Sequence, residues 1–307
     1  MSLKKIAVGF AILVSGMAAV YGGTNRPTKF TNQGGIANTR HNLTQAPPAG
    51  GLNSAMMAYS RNDYGEICVY CHTPHGADVT TKIPLWNRTT VARTYKTYNE
   101  LNTSSLTQAV SQPGANSLSC LSCHDGQTAV DSIINMPGSG RYDASQASTV
   151  NLDFLTTWTG DPAVEHMGLR RGGESDLGCM SCHSTGPGNM PAAVDFAPAL
   201  MGTDLTNDHP VGITFPTAVG PGTEWRTPAT ISKGVLGDTK FFDDDGDGSL
   251  DKGEIRMYNS DALQKVECAS CHDPHGVPSG GPGSTFFPTF LRKSNTNSGV
   301  CLTCHNK

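Results

Sequence analysis

No cysteine in this chain stands outside one five-residue pattern, and apolar side chains are in short supply. Both absences exclude something. The ten cysteines fall in pairs three residues apart. A disulfide within such a pair closes a small strained loop and ties nothing distant together, so a disulfide-stapled scaffold is excluded. Zinc sites combine two such pairs, and five pairs do not divide evenly. Only 37% of the 307 residues are hydrophobic, and glycines and prolines number 35 and 19. A chain of this make-up has too little apolar surface for a conventional core. Beyond the first two dozen residues, no apolar run is long enough to span a bilayer. Lys and Arg (22) are outnumbered by Asp and Glu (26), for a net charge of −4, and nothing reads as a nucleic-acid partner.

What is present is the pattern Cys-x-x-Cys-His, written five times. The copies are Cys68-Cys71-His72, Cys120-Cys123-His124, Cys179-Cys182-His183, Cys268-Cys271-His272 and Cys301-Cys304-His305, called motifs 1 to 5 below. Two thiols bond the two vinyl groups of one porphyrin and the histidine binds its iron, so each motif reads as an attachment site for a c-type haem. Neither the disulfide nor the zinc reading explains a histidine after every pair. The expected cofactors are five haem c groups.

Porphyrins are large flat apolar bodies, and five of them supply the core that the side chains lack. With about one haem per 55–60 residues, independent domains are excluded. The expected fold is a multihaem cytochrome c: mostly irregular, with short α-helices and little β-structure around a haem stack. Short helices are expected at the motifs, over residues 118–124 and 262–272, because Cys at i and i+3 must face one side. Residues 211–215 read as a strand. Lys4 and Lys5, an apolar stretch over residues 6–20 and small residues over 18–23 read as a secretory signal covering residues 1–22. Residues 23–307 then form a single elongated pentahaem domain. Export agrees with haem attachment, which bacteria carry out outside the cytoplasm.

Ten histidines are present, and five remain outside the motifs: His41, His75, His166, His209 and His275. That is one spare imidazole per iron, so each is expected as the second axial ligand of a haem. Methionine at one site, with Met167 beside His166 the first candidate, is the rival reading. His75 and His275 stand three residues after a haem histidine, too close to wrap around the porphyrin to its far face. They are expected to ligate a neighbouring haem. With every iron capped by two protein ligands, no position is open to substrate, and the chain reads as an electron carrier and not an enzyme.

A second metal site is written in residues 243–254. Asp243, Asp245, Asp247 and Asp251 stand at positions 1, 3, 5 and 9 of the twelve-residue calcium loop, with Gly248 at 6 and Glu254 at 12. Ser249 offers its backbone carbonyl at position 7. The expected ion is Ca²⁺, as a structural clamp ahead of Cys268.

Several segments together resemble the doubled-CxxCH multihaem cytochromes. They are Cys-Val-Tyr-Cys-His-Thr-Pro-His-Gly from Cys68, Pro84-Leu85-Trp86-Asn87, Asn207-Asp208-His209-Pro210, Cys-Ala-Ser-Cys-His-Asp-Pro-His-Gly from Cys268, and Phe290-Leu291-Arg292 ahead of the last motif. The resemblance is to the OmcE-type and OmcS-type extracellular cytochromes. It implies a continuous stack of bis-histidine haems, secretion to the cell surface or beyond, and a conducting homopolymer that hands electrons to redox proteins or extracellular acceptors. In such filaments a histidine of one subunit ligates a haem of the next, and by position His41 is expected to be that donor. The chain departs in haem number, five against the four and six of those types, and the segment with His166 and motif 3 reads as an added unit. The alternatives are a monomeric periplasmic or outer-membrane-associated shuttle, and a reductase with one open haem. Pentahaem nitrite reductase carries its catalytic haem on Cys-x-x-Cys-Lys, and here all five motifs end in His.

Overall fold

The computed structural model describes residues 35–44, 64, 66–90, 93–135, 168–169, 178–181, 183–184, 195–231, 239–276 and 290–306. The signal expected over residues 1–22 lies outside the described residues, as do Cys182 and His166. Among the described residues no helix is long and apolar enough to cross a membrane.

Each attachment motif forms its own short helical turn. The longest is the α-helix Ala115–His124, which carries motif 2. Its ten residues contain no Gly, Pro or β-branched side chain, so nothing opposes the helix. Leu118 and Leu121, three residues apart, lie on one side and pack with Tyr95, Leu205 and Met201. Asp125 caps its end, and Gly126 follows at φ +72°, where the chain turns away. Motif 4 occupies the four-residue helix Cys268–Cys271, started by a capping box in which Glu267 and Ser270 satisfy each other's backbone N–H groups. Motif 5 occupies Cys301–Cys304. Motifs 1 and 3 form 3-10 turns at Cys68–Tyr70 and Cys179–Ser181.

At the histidines of motifs 4 and 5 the chain leaves the helix, whereas His124 still lies within its own. His272 and His305 have extended backbones. His72 pairs with Trp86, His272 with Leu291 and His305 with Trp225 in isolated antiparallel bridges.

The strands are short. β1 (Ile213–Thr214), β5 (Leu263–Val266) and β4 (Tyr258–Ser260) form an antiparallel sheet in the order β1-β5-β4, with Ile213 opposite Val266 and Tyr258 opposite Lys265. β2 (Ala229–Ile231) and β3 (Thr239–Phe241) pair antiparallel. The helix expected over 262–272 is therefore shorter than the spacing predicts. Asp261 and Ala262 both take positive φ, forming a tight hairpin turn, and residues 263–266 leave it as strand β5. Helix begins only at Cys268, because the Glu267–Ser270 box starts a new element there.

Among the described residues the buried apolar side chains form three small clusters. Tyr64, Val69, Tyr70 and Ile133 surround motif 1. Tyr95, Leu121 and Leu205 flank motif 2. Phe215, Phe242, Ile255 and Met257 pack beneath motifs 4 and 5, with Cys271 and Cys304 at their edge. Every cluster thus sits against attachment cysteines or the helix that carries them.

Candidate cofactor and metal sites

The histidines are held in a common way. The Nδ1 of His72 lies 2.8 Å from the Pro84 carbonyl, that of His124 2.6 Å from Ala199 O, and that of His41 2.9 Å from Pro274 O. His209 Nδ1 lies 3.0 Å from Pro210 O, and His275 Nδ1 lies 3.0 Å from Asp273 Oδ1. A carbonyl or carboxylate oxygen accepts only, so Nδ1–H donates in each case. That fixes the tautomer and leaves the Nε2 lone pair free, the state a metal-binding imidazole needs. At His209 the orienting oxygen is the Pro210 carbonyl. The carbonyl of Asp208 instead accepts from the Tyr98 hydroxyl at 2.5 Å.

Two pairs of these rings face one another. His72 and His275 have centroids 6.1 Å apart and planes inclined by 12°. His41 and His124 are 6.0 Å apart at 85°. An imidazole nitrogen bonds a transition metal at about 2 Å and the ring centre lies about 1 Å behind it, so two imidazoles on opposite sides of one iron have centres about 6 Å apart. Both spacings fit that span. His275 therefore stands against the histidine of motif 1 and not of its own motif 4. His41 stands against His124 of its own chain. Desolvation, then the neighbouring His124, pushes the His41 imidazole down to about 4. Desolvation also lowers His72 and His124.

Burial raises several of the motif thiols, while the neighbouring Cys120 lowers Cys268. Burial, and then the nearby Cys123, pushes the Cys71 thiol up to about 12. Burial likewise raises Cys304 to about 12 and Cys271 to about 11. A thiol binds metal as thiolate, and burial in apolar surroundings disfavours that form. Beside His72, the buried indole N–H of Trp86 has no hydrogen-bond partner among the described residues. A porphyrin carboxylate would satisfy it.

The remaining histidines are placed unevenly. The exposed His75 has its carbonyl held by the Thr73 hydroxyl and by Asn135 Nδ2. The His183 ring is stacked by Phe196 at 4.1 Å and 2°. The His305 ring lies 4.4 Å from Trp225, and Phe290 stacks on His41 at 4.5 Å. Phe196 and Trp225 carry no motif signal of their own and only the folded chain reveals them, whereas Phe290 belongs to the Phe290-Leu291-Arg292 segment.

The acidic loop is closed on itself. Carboxylate oxygens of Asp243, Asp245 and Asp247 lie within 4.8 Å of one another. Asp243 accepts from Gly246 N at 2.7 Å and Gly248 N at 3.0 Å, both glycines having positive φ. The buried Glu254 carboxylate accepts from Asp244 N and Asp251 N at 2.7 and 2.8 Å. Ser249 N donates to Asp247 Oδ1 at 2.6 Å. Two arginines anchor the loop's exit. Arg256 donates to the carbonyls of Asp251 and Glu254. Arg292 donates to Lys252 O at 2.7 Å and to Ala269 O, inside motif 4, at 3.1 Å. Lys293 pairs with Asp244 at 2.6 Å.

No protein-family model matches this chain, and no curated protein matches it.

Proposed function

We propose that this chain is an exported pentahaem c-type cytochrome that carries electrons between bis-histidine haems and does not transform a small molecule. The observation that carries the reading is the pair of facing imidazoles, each with Nδ1 held by an oxygen and Nε2 free, at the span of one iron.

In this reading Cys68, Cys71, Cys120, Cys123, Cys179, Cys182, Cys268, Cys271, Cys301 and Cys304 hold the porphyrins. His72, His124, His183, His272 and His305 are the near ligands. His275 would hold the iron of motif 1 and His41 that of motif 2, which would leave His75, His166 and His209 for the others. Bound haem supplies one-electron Fe(III)/Fe(II) exchange. The chain's own residues do the rest. The carbonyls of Pro84, Ala199 and Pro274 orient the rings. Trp86, Phe196, Trp225 and Phe290 shield them from water. The short turns set the spacing of the thiols. The loop at 243–254 holds Ca²⁺ with Asp243, Asp245, Asp247, the Ser249 carbonyl, Asp251 and Glu254.

The filament implied by the resemblance is retained as the assembly we propose. The intersubunit role for His41 competes with its placement against His124, and the geometry favours a ligand role within one chain.

Pyridine-haemochrome absorbance and intact mass test the reading. Five covalent haems per chain and wholly low-spin ferric signals are expected. A high-spin signal in the native protein would sink the carrier reading in favour of a reductase with an open iron.

A further inference from the structure

Motifs 1 and 4 are built on one frame. The first reads Cys71-His72-Thr73-Pro74-His75-Gly76 and the second Cys271-His272-Asp273-Pro274-His275-Gly276. Each is backed by a second short segment, residues 85–87 for motif 1 and 290–292 for motif 4. Leu85 and Phe290 both take positive φ, at +55° and +61°. Thr73 N donates to Leu85 O at 2.8 Å, and Asp273 N donates to Phe290 O at 2.9 Å. The His72–Trp86 bridge has its counterpart in His272–Leu291. Asn87 N donates to Cys71 O and Arg292 N to Cys271 O, each at 2.8 Å. The side chains at that last position repeat as well: Asn87 Nδ2 donates to Val69 O at 2.7 Å and Arg292 Nε to Ala269 O at 3.1 Å. Across these bonds the backbones match, so a difference between the two sites comes from their side chains.

One such difference bears on a histidine ring. Thr73 is buried, and its hydroxyl donates to the His75 carbonyl at 2.9 Å. The same position in motif 4 holds Asp273, also buried. Its Oδ1 accepts from His275 N and from His275 Nδ1, both at 3.0 Å. Its Oδ2 faces Arg292 Nη1 at 3.4 Å, and Arg292 stands where motif 1 has the neutral Asn87. The Nδ1 atoms of His41, His72, His124 and His209 rest on backbone carbonyls. Of these five rings, His275 is the one that rests on a carboxylate.

The geometry points to Asp273 as a positioning residue that lowers the midpoint potential of the haem between His72 and His275. This rests on the haem reading above. A carboxylate draws the Nδ1 proton more strongly than a neutral carbonyl does. That leaves more electron density on Nε2 and makes the imidazole a more basic ligand. A more basic ligand favours Fe(III), with its extra positive charge, over Fe(II). The ring so assisted faces His72, at 6.1 Å and 12°. A buried side chain next to the motif 4 histidine therefore sets a property of the motif 1 haem.

The test uses the full-length holoprotein, whose five haems are first counted by intact mass. Absence of haem at that stage overturns the haem reading itself and is seen before any variant is compared. Asp273→Asn keeps an oxygen within reach of Nδ1 and removes its charge. The variant is expected to keep five haems, all low-spin by EPR. In a redox titration one midpoint is expected to rise by about a tenfold change in the Fe(III)/Fe(II) ratio, about 59 mV for one electron. A charge acting through space could also raise a midpoint, so the change is repeated in a His275→Met background. There the rise is expected to disappear, because the ring that transmits it is gone. An equal rise in both backgrounds, or none in either, would overturn the assignment. A second measure uses the unmutated protein, fully reduced and diamagnetic, with labelled histidine. By ¹H–¹⁵N NMR the Nδ1 proton of His275 is expected downfield of those of His41, His72 and His124. A His275 proton level with the other three would overturn the assignment as well.

Discussion

At the scale of single residues, what prepares an imidazole to bind metal is what its other nitrogen does. A carbonyl on Nδ1 sets the ring's tautomer and angle before any metal arrives. His41 shows the consequence. Its ring is fixed by Pro274 O and faces His124. The His41→Ala variant is therefore expected to retain five haems yet show one high-spin ferric iron as a monomer, by EPR. A wild-type monomer that already shows that high-spin iron, unchanged by the substitution, would return His41 to the role of intersubunit donor, and a fully low-spin variant would show that His41 is no iron ligand. The buried Glu267 offers a second residue-scale test. Removing it leaves the N–H of Gly114 and the hydroxyls of Ser117 and Ser260 without their acceptor. Glu267→Ala is expected to cost about 2 kcal/mol in denaturant unfolding. Burial raises the Glu267 carboxyl. An acid raised in the folded state contributes stability that is full below its unfolded value of about 4 and is lost as pH rises through its folded value. Glu267→Gln is expected to flatten that decline between pH 4 and neutrality.

At the scale of elements, the motif turns were legible because the chemistry demands them: thiols at i and i+3 share a face only in a helical turn. The same argument overreached at residues 262–266. The alternation there serves β5, and only the pairing with β1 and β4 shows it. The acidic loop at 243–254 was legible as a candidate metal loop from spacing alone, but its link to motif 4 was not. Arg292 spans Lys252 O, Ala269 O and Asp273, so the loop and the motif 4 helix share one buried guanidinium. Chelation of calcium is expected to speed amide hydrogen exchange in 268–273 and 290–293 along with the loop. Exchange confined to 243–254 would show that the loop is uncoupled. Arg292→Ala removes one partner of the buried Asp273 carboxylate, which keeps its contacts to His275, and frees the carbonyls of Lys252 and Ala269; a loss of about 2 kcal/mol is expected in thermal or denaturant unfolding.

At the scale of the whole molecule, the described residues hold three small apolar clusters. Each borders motif cysteines or the helix bearing them, and in the proposed reading the porphyrins would complete the core. Chain produced without haem attachment is expected to lack cooperative unfolding by circular dichroism, whatever its calcium content. For the filament, electron microscopy of material sheared from cells in calcium-containing buffer is expected to show polymers. Monomers alone under those conditions would favour the shuttle.

The amino-acid sequence by itself determined the inventory: five thiol pairs, five motif histidines, five spare imidazoles and one acidic loop. Each of these is written in local spacing, which covalent geometry reads directly. Tertiary structure decided the pairing. His275 meets His72 and His41 meets His124, while Glu267 joins the helices of motifs 2 and 4, which local spacing cannot relate. Those contacts bring together residues up to about two hundred positions apart, and they arise from buried polar groups finding the partners that desolvation requires.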